Sequence, residues 1–418
     1  MKNFITHTKT LLKKLTNFGQ TAQNSKTREL IPSSIRELKP AADSFKCPYC
    51  FSTNFKKRGL RQKKLEQVQL YQCHDCGKTF TQQITKGKHY PLPAVLQSLS
   101  LYHLGYSLEQ VCQILKQKYN YDIQPTSISN WLKEFASMCK FSRFRPYALQ
   151  KYTPKNMTIL ETLAHQQLYQ FRFHRAKCEL IIREDIKHSR FGPVQEFLEL
   201  VPSDCPHQHF TDKKVLRASE SPLKFSKTQM IVRAKQNYAN QLAQFVLQSV
   251  KNRRLRHQAL QRFMLFNDSV TVATEVPIFI EKEDLEHLKD QLGFEFYPDS
   301  NLPKLITGHI DILQIRNGQV HILDYKPKAE KVRPIEQLTL YAMALSRLTG
   351  LRLFEFKCAW FDEQDYFEFY PLHVLKKPQS RRRRRKVYTM EGIYQINQQT
   401  DKITNLRPET KGPGVTIN

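Results

Sequence analysis

Gly308-His309-Ile310-Asp311-Ile312-Leu313-Gln314-Ile315-Arg316-Asn317-Gly318-Gln319-Val320-His321-Ile322-Leu323-Asp324-Tyr325-Lys326 is the stretch on which the fold of the chain turns. Two apolar runs flank Asn317-Gly318, the dipeptide that best marks a two-residue type I′ hairpin. Such a turn fixes the register. Arg316 falls opposite Gln319 and Ile315 opposite Val320; counting outward, Asp311 meets Asp324 and His309 meets Lys326. Directly opposed residues share a face with Cβ atoms roughly 5 Å apart, and alternate residues of a strand share a face. Asp311, Asp324 and Lys326 are therefore expected on one side. The remaining positions are mostly apolar on both faces, as in central strands covered above and below.

Two facing carboxylates repel and raise each other's pKa. A divalent cation between them removes the conflict, and Mg²⁺ favours such hard oxygen ligands. An ion there acidifies a bound water and offsets charge building on a phosphate, with Lys326 placed to add positive charge. The rival reading is a plain salt-bridge network joining Asp311 and Asp324 to Lys326 and His309.

Upstream, Ser269–Ile280 reads as a strand with Glu275 just before Val276-Pro277. Downstream, Pro334 opens a helix whose buried stripe is Leu338, Tyr341, Ala342, Leu345 and Leu348. Gln337 and Tyr341, four apart, share a face of it. Leu351–Phe361 and Tyr366–Pro371 suggest a further hairpin.

This order resembles the PD-(D/E)XK nuclease superfamily, in the branch related to RecB and Cas4 nucleases. The matching elements are Glu275 in Glu-x-Pro, Gly308-x-x-Asp311, Asp324-x-Lys326 and Gln337-x-x-x-Tyr341, within residues 225–372. The resemblance implies a restriction-endonuclease-like mixed β-sheet flanked by helices. It further implies that Glu275, Asp311 and Asp324 bind Mg²⁺ or Mn²⁺, that Lys326 assists catalysis, and that Gln337 and Tyr341 shape the site or contact DNA. The RecB branch usually has a His on its first helix; here that helix is expected over Thr228–Val250, which contains none. Cysteines like those flanking the Cas4 core are not apparent, and Cys178, Cys205 and Cys358 read as buried thiols.

The other half carries different signals. Cys47-Pro48-Tyr49-Cys50 and Cys73-His74-Asp75-Cys76-Gly77 can place four thiolates around a structural Zn²⁺. Val68–Gln72 reads as a returning strand between the pairs. Gly77 supplies a positive-φ knuckle position, and Tyr71 and Phe80 cover the metal. Three helices follow: Leu92–Leu104, stopped by Gly105; Leu108–Lys118, capped by Ser107; and a short one from Pro125-Thr126 through Phe135. They suit a helix-turn-helix with Ser127, Ser129, Asn130 and Lys133 facing the DNA major groove, or an ordinary three-helix bundle. Residues Cys47 to Phe135 resemble the N-terminal part of insertion-sequence transposases, which join a zinc ribbon to a helix-turn-helix; the resemblance implies sequence-directed DNA binding. No transposase-type acidic triad is apparent downstream.

The chain of 418 residues has 66 Lys and Arg against 38 Asp and Glu, a formal charge of +28. Such an excess attracts polyanions, nucleic acid before an anionic membrane surface, unless the protein is merely basic. A hydrophobic fraction of 40% excludes wholesale disorder. No stretch nears the roughly 18 apolar residues of a membrane span. Nine scattered cysteines do not suit a secreted disulfide framework. The N-terminal run lacks an apolar leader core and, being Lys-rich rather than Arg-rich, reads as a solvated basic arm rather than a mitochondrial presequence; a cytoplasmic, nucleoid-associated protein of prokaryotic or mobile-element origin is expected.

The expected organisation is a multidomain α+β/α/β chain: basic arm 1–44, zinc ribbon 45–85, helix-turn-helix 86–137, connecting region 138–222, nuclease-like domain 223–372 and basic tail 373–418, the last holding Arg381–Lys386. Cys205-Pro206-His207-Gln208-His209 reads as a polar loop rather than a metal site. The expected function is a DNA-binding, metal-dependent deoxyribonuclease. The rivals are a non-catalytic DNA-binding regulator on a nuclease-like scaffold and a transposition-associated DNA-cleaving protein.

Overall fold

The computed structural model describes residues 46–62, 67–81, 90–212, 214–225, 230–235, 237–250, 252–298, 302–375, 393–397 and 402–406. The basic arm 1–44 and the arginine run 381–386 lie outside the described residues. Two compact units emerge: residues 1–82 with 114–122, and residues 83–113 with 123–418.

In the first unit, β1 (Phe55–Gln62), β2 (Gln67–Cys73) and β3 (Thr79–Thr81) form an antiparallel sheet in that order. Phe55, Tyr71 and Phe80 meet ring to ring about 5.5–5.8 Å apart beside buried Cys47 and Cys73. Both cysteine pairs end in tight turns. Cys47 N–H donates to Ser52 at 2.8 Å and Cys73 N–H to Lys78 at 3.0 Å. Gly77 has φ +68° as expected, and Phe51 takes the equivalent place after Cys50 at φ +59°.

Helices α1 (Leu92–His103), α2 (Leu108–Tyr119) and α3 (Pro125–Glu134) follow. Their bounds lie close to those expected because each stop has a local cause. Gly105 takes φ +102°, which breaks α1 from α2, and Pro125 occupies the first turn of α3.

In the second unit, helices α4 (Arg145–Lys151), α5 (Arg175–Glu184), α6 (Gly192–Asp204), α7 (His207–Thr211), α8 (Tyr238–Leu247), α9 (Arg256–Asn267), α10 (Lys282–Asp290), α11 (Ile335–Thr349) and α12 (Pro371–Leu375) flank a large mixed sheet. Its strands are β4 (Ile159–His165), β5 (Gln167–Phe173), β6 (Leu216–Arg217), β7 (Met230–Lys235), β8 (Thr271–Glu281), β9 (Leu305–Arg316), β10 (Gln319–Tyr325), β11 (Phe356–Phe361), β12 (Asp365–Phe369), β13 (Ile393–Asn397) and β14 (Lys402–Leu406). The order is β14-β13-β7-β12-β11-β10-β9-β8-β5-β4, with β6 beside β9. β10–β11 and β6–β9 are parallel, and the other neighbours antiparallel. A mixed sheet with helices about it fits a restriction-endonuclease-like fold.

Three expectations need correction. The sheet draws β4 and β5 from 138–222 and β13 and β14 from the tail, so it extends past 223–372. The helix expected over Thr228–Val250 is a strand, β7, followed by α8, because Asn237 caps α8 by accepting the Ala239 N–H at 2.9 Å. The strand expected from Leu351 begins at Phe356, after a 3-10 turn over Leu353–Glu355.

The two halves of the unit are tied by polar contacts. His103 on α1 meets Asn267 on α9 at 2.8 Å, and Asn267 donates to Ser100 at 3.0 Å. Burial pushes His103 down to about 4, so it packs as a neutral ring. Among the described residues no helix is long and apolar enough to cross a membrane.

Candidate active site

The Asn317-Gly318 reversal forms as read, with φ +52° and +69°. Its ladder runs from Gln319 opposite Arg316 to Leu323 opposite Ile312, and one step further sets Asp324 against Asp311. The two carboxyls lie close enough to share a hydrogen bond. Asp324 is buried, at 3% side-chain exposure, and Lys326 Nζ lies 2.8 Å from its Oδ2. Lys326 donates its backbone N–H to Phe361 on β11 at 2.9 Å, which fixes where its side chain starts. His309 does not join this group as the salt-bridge reading required; it turns to His165 and lies flat on Tyr169.

Glu275 lies on β8, next to β9. Pairing on either side, Thr274 with Ile312 and Val276 with Ile310, carries it opposite Asp311. It holds φ +52°, a left-handed conformation that costs a non-glycine residue on the order of 1–3 kcal/mol. The neighbouring pairs hold it there, and Gln261 on α9 donates Nε2 to its Oε1 at 2.7 Å. Three carboxylates thus form a row across β8, β9 and β10.

The structure also supplies a histidine that the sequence reading placed nowhere. His257 opens α9, and its Nδ1 lies 3.4 Å from Asp311 Oδ2, with the ring edge-on to Tyr325 at 5.0 Å. The statement that the helix before the first site strand lacks His is therefore corrected: α9, not 228–250, runs into that strand. His257 and Gln261 share a face by their spacing of four. That pair, just ahead of Ser269–Ile280, was the available signal.

Over the sheet, α11 presents Gln337 and Tyr341, and Gln337 Nε2 donates to the Tyr341 hydroxyl at 2.8 Å. Tyr341 can lie this low because β9 carries Gly308 beneath it. A Cβ at 308 would sit 2.5 Å from Tyr341 Cε1. Gly308→Ala should displace the ring and lower unfolding free energy by about 1–3 kcal/mol, read by denaturant titration; unchanged stability would refute this packing account.

Glu275, Gly308, His309, Asp311, Gln337 and Tyr341 line one cavity of about 120 Å³ together with Tyr169, Arg217, Ala218 and Ser219. Arg217, on β6, donates to the Tyr169 hydroxyl. Arg172, on β5, is buried behind them, and burial and Arg262 push it down to about 10. Neither arginine, nor Tyr169, has a local pattern that marks it in the sequence; only the long-range order of β5, β6 and β9 assembles them.

The electrostatics follow from this crowding. Burial, then the Asp311 charge, pushes Glu275 up to about 8, against the pull of Gln261, Arg172 and Arg217. Burial and Asp311 likewise raise Asp324 well above the carboxylate range. Burial acts on Asp311 too, but hydrogen bonds from His257 and Asp324 and the charges of His257 and Lys326 outweigh it and hold it low. Burial would lower Lys326, yet Asp324 prevails and keeps the ammonium charged. Lys326 meets Asp324 at Oδ2, and among the described residues Asp324 Oδ1 receives no hydrogen bond. A buried acceptor left so is costly, and the set fits a hard divalent cation.

Elsewhere, the sulfurs of Cys47, Cys50, Cys73 and Cys76 lie within 4.8 Å of one another, with contacts of 3.6 Å (Cys47–Cys76) and 3.5 Å (Cys50–Cys73). Four thiolates about 2.3 Å from a tetrahedral Zn²⁺ stand about 3.8 Å apart, so the cluster fits that ion. On α3, Ile128 and Trp131 are buried while Asn130 and Lys133 are exposed; Ser127 and Ser129 are half-buried.

Residues 203–405 match the model of the PD-(D/E)XK nuclease superfamily, which supports a domain of that superfamily in this stretch. All six site residues read from the sequence lie inside it, as do His257 and Gln261. No curated protein and no solved structure gives a significant match. That match suggests a nuclease domain.

Proposed function

We propose that the chain is a DNA-binding, divalent-metal-dependent nuclease that hydrolyses phosphodiesters. The observation carrying this reading is the row of Glu275, Asp311 and Asp324 on adjacent strands, with Glu275 and Asp324 raised, Asp311 held low and a charged Lys326 beside them. Glu275, Asp311 and Asp324 would hold Mg²⁺ or Mn²⁺, and His257 stands ready to steady Asp311 or to add a softer nitrogen that widens the choice toward Mn²⁺. A cation bound there supplies Lewis acidity toward a phosphate and an acidified water.

The chain's own groups do the rest. Lys326, positive and anchored by Asp324, balances charge that grows on the phosphate under attack. Arg172 and Arg217 make the Glu275 side of the cavity attractive to an anionic backbone. Gln337 fixes the Tyr341 hydroxyl as a polar ceiling over the sheet. Bringing DNA to this site falls to the Cys47/Cys50/Cys73/Cys76 module, as a zinc ribbon, and to α1–α3, as a helix-turn-helix that presents Ser127, Ser129, Asn130 and Lys133.

The test is incubation of the purified chain with single- and double-stranded DNA, with and without Mg²⁺ or Mn²⁺. Cleavage that requires the ion and disappears in Lys326→Ala, with DNA affinity held within a few-fold, supports the reading. Wild type that binds DNA and never cuts it favours the regulator. For the targeting module, Cys73→Ser should release its zinc, remove on the order of 10 kcal/mol of metal-linked folding energy from that unit, and weaken DNA binding. Unchanged zinc content at that site would contradict the four-thiolate assignment.

A further inference from the structure

A second group of soft ligands lies outside both sites. Cys205 and His207 flank Pro206, which has φ −74° and ψ +76°. The His207 N–H donates to the Cys205 carbonyl at 2.8 Å, which makes an inverse γ-turn. This turn gathers the two side chains, and the end of β4 brings His165 to meet them. His165 Nε2 stands 2.8 Å from His207 Nδ1, and one ligand nitrogen of each ring lies within 4.8 Å of the other and of the Cys205 sulfur.

His165 is held as a metal-binding histidine is held. It is 3% exposed, and its ring stacks on Phe210 at 4.2 Å and 14°. Its other nitrogen, Nδ1, stands 2.8 Å from His309 Nε2. A proton on His165 Nδ1, given to His309, leaves the Nε2 lone pair aimed at His207; such outer hydrogen bonds fix the tautomer and direction of ligating histidines.

We propose that His165, Cys205 and His207 bind a divalent transition metal of the zinc class through two nitrogens and one sulfur. Nitrogens about 2.1 Å from a tetrahedral Zn²⁺ stand about 3.4 Å apart, so the two rings need open from 2.8 Å by only about 0.6 Å. His207 is exposed, and water completes the coordination from that side. The ion ties α7 to β4 and, through His165 and His309, to the wall of the cavity two residues before Asp311. The assignment stands apart from the nuclease reading and uses none of its residues as ligands.

The experiment is zinc counting by mass spectrometry on the full chain after exhaustive dialysis, for wild type, His207→Asn, Cys205→Ser, Gln208→Ala and Cys47→Ser/Cys73→Ser. His207→Asn and Cys205→Ser should each lose one equivalent, Gln208→Ala none, and the Cys47/Cys73 variant should keep the equivalent that His207→Asn loses. Because His207 is exposed, metal-stripped His207→Asn should melt with the metal-stripped wild type. Zinc added to the stripped Cys47→Ser/Cys73→Ser chain should raise its melting temperature, and adding His207→Asn to that background should abolish the rise. Zinc content unchanged by both His207→Asn and Cys205→Ser overturns the proposal, as does a zinc-induced rise that survives His207→Asn in that background.

Discussion

Asp324→Asn should reduce DNA cleavage by on the order of a thousandfold or more while making the protein harder to unfold. The two effects share one cause. Asp324 is buried against Asp311, and its charged form is disfavoured by that burial and that neighbour. The amide keeps the shape and removes the repulsion, so about 1–2 kcal/mol should return to the fold, or about 2–6 °C in melting temperature. The same change removes a central oxygen donor from the proposed cation site. Lys326→Ala should cut activity comparably with the opposite sign in stability, because it leaves the buried Asp324 without its cation. Scanning calorimetry beside a cleavage assay separates the pair. Cleavage by Asp324→Asn above a tenth of wild type would remove the residue from the site.

Cation affinity should climb steeply with pH. Glu275 is pushed up to about 8. Below that value its carboxyl holds a proton that an incoming ion must displace, so each pH unit below 8 costs roughly tenfold in affinity through this group alone. Calorimetric titration of Mg²⁺ into wild type should show a loss of at least tenfold between pH 8 and pH 6, with proton release on binding. Glu275→Gln should flatten that slope. Stability without the ion moves the other way. Between the ordinary glutamate value near 4.3 and about 8, the folded chain keeps a proton that the unfolded chain releases, so stability falls as pH rises through that window. Glu275→Gln should therefore stabilise the protein by roughly 2–4 kcal/mol at pH 8 and by almost nothing at pH 4. A variant no more stable than wild type at pH 8 would show that the carboxyl is not under strain.

The central hairpin was legible because its cause is local. Asn317 and Gly318 accept positive φ, a two-residue turn leaves one register, and the register aligns Asp311 with Asp324. Gln337 and Tyr341 were legible for a similar reason, since helical spacing alone puts them on one face. His257 escaped because a strand, β7, occupies the apolar run that looked like the start of a long helix, which displaced the helix next to Glu275 by one element. Arg172, Arg217 and Tyr169 reach the cavity through β5 and β6, whose placement beside β8 and β9 follows from no short-range signal. His165 is the same kind of case: its partners Cys205 and His207 stand some forty residues on, and only the folded sheet brings β4 to them.

The far end of that hairpin is gripped from outside. Gly318 donates its N–H to His188 Nε2 at 3.0 Å, and Arg190 donates to the Gly318 carbonyl at 2.6 Å. Six residues of strand, about 20 Å, separate this clasp from Asp311. Strand pairing transmits phase rather than force, and one residue added between Ile315 and Asn317 would turn Asp311 to the opposite surface and silence it without any chemical change to it. The clasp therefore works as a timing mark for a distant alignment, and a lesion at His188 or Arg190 belongs among the changes that would loosen the carboxylate row from afar.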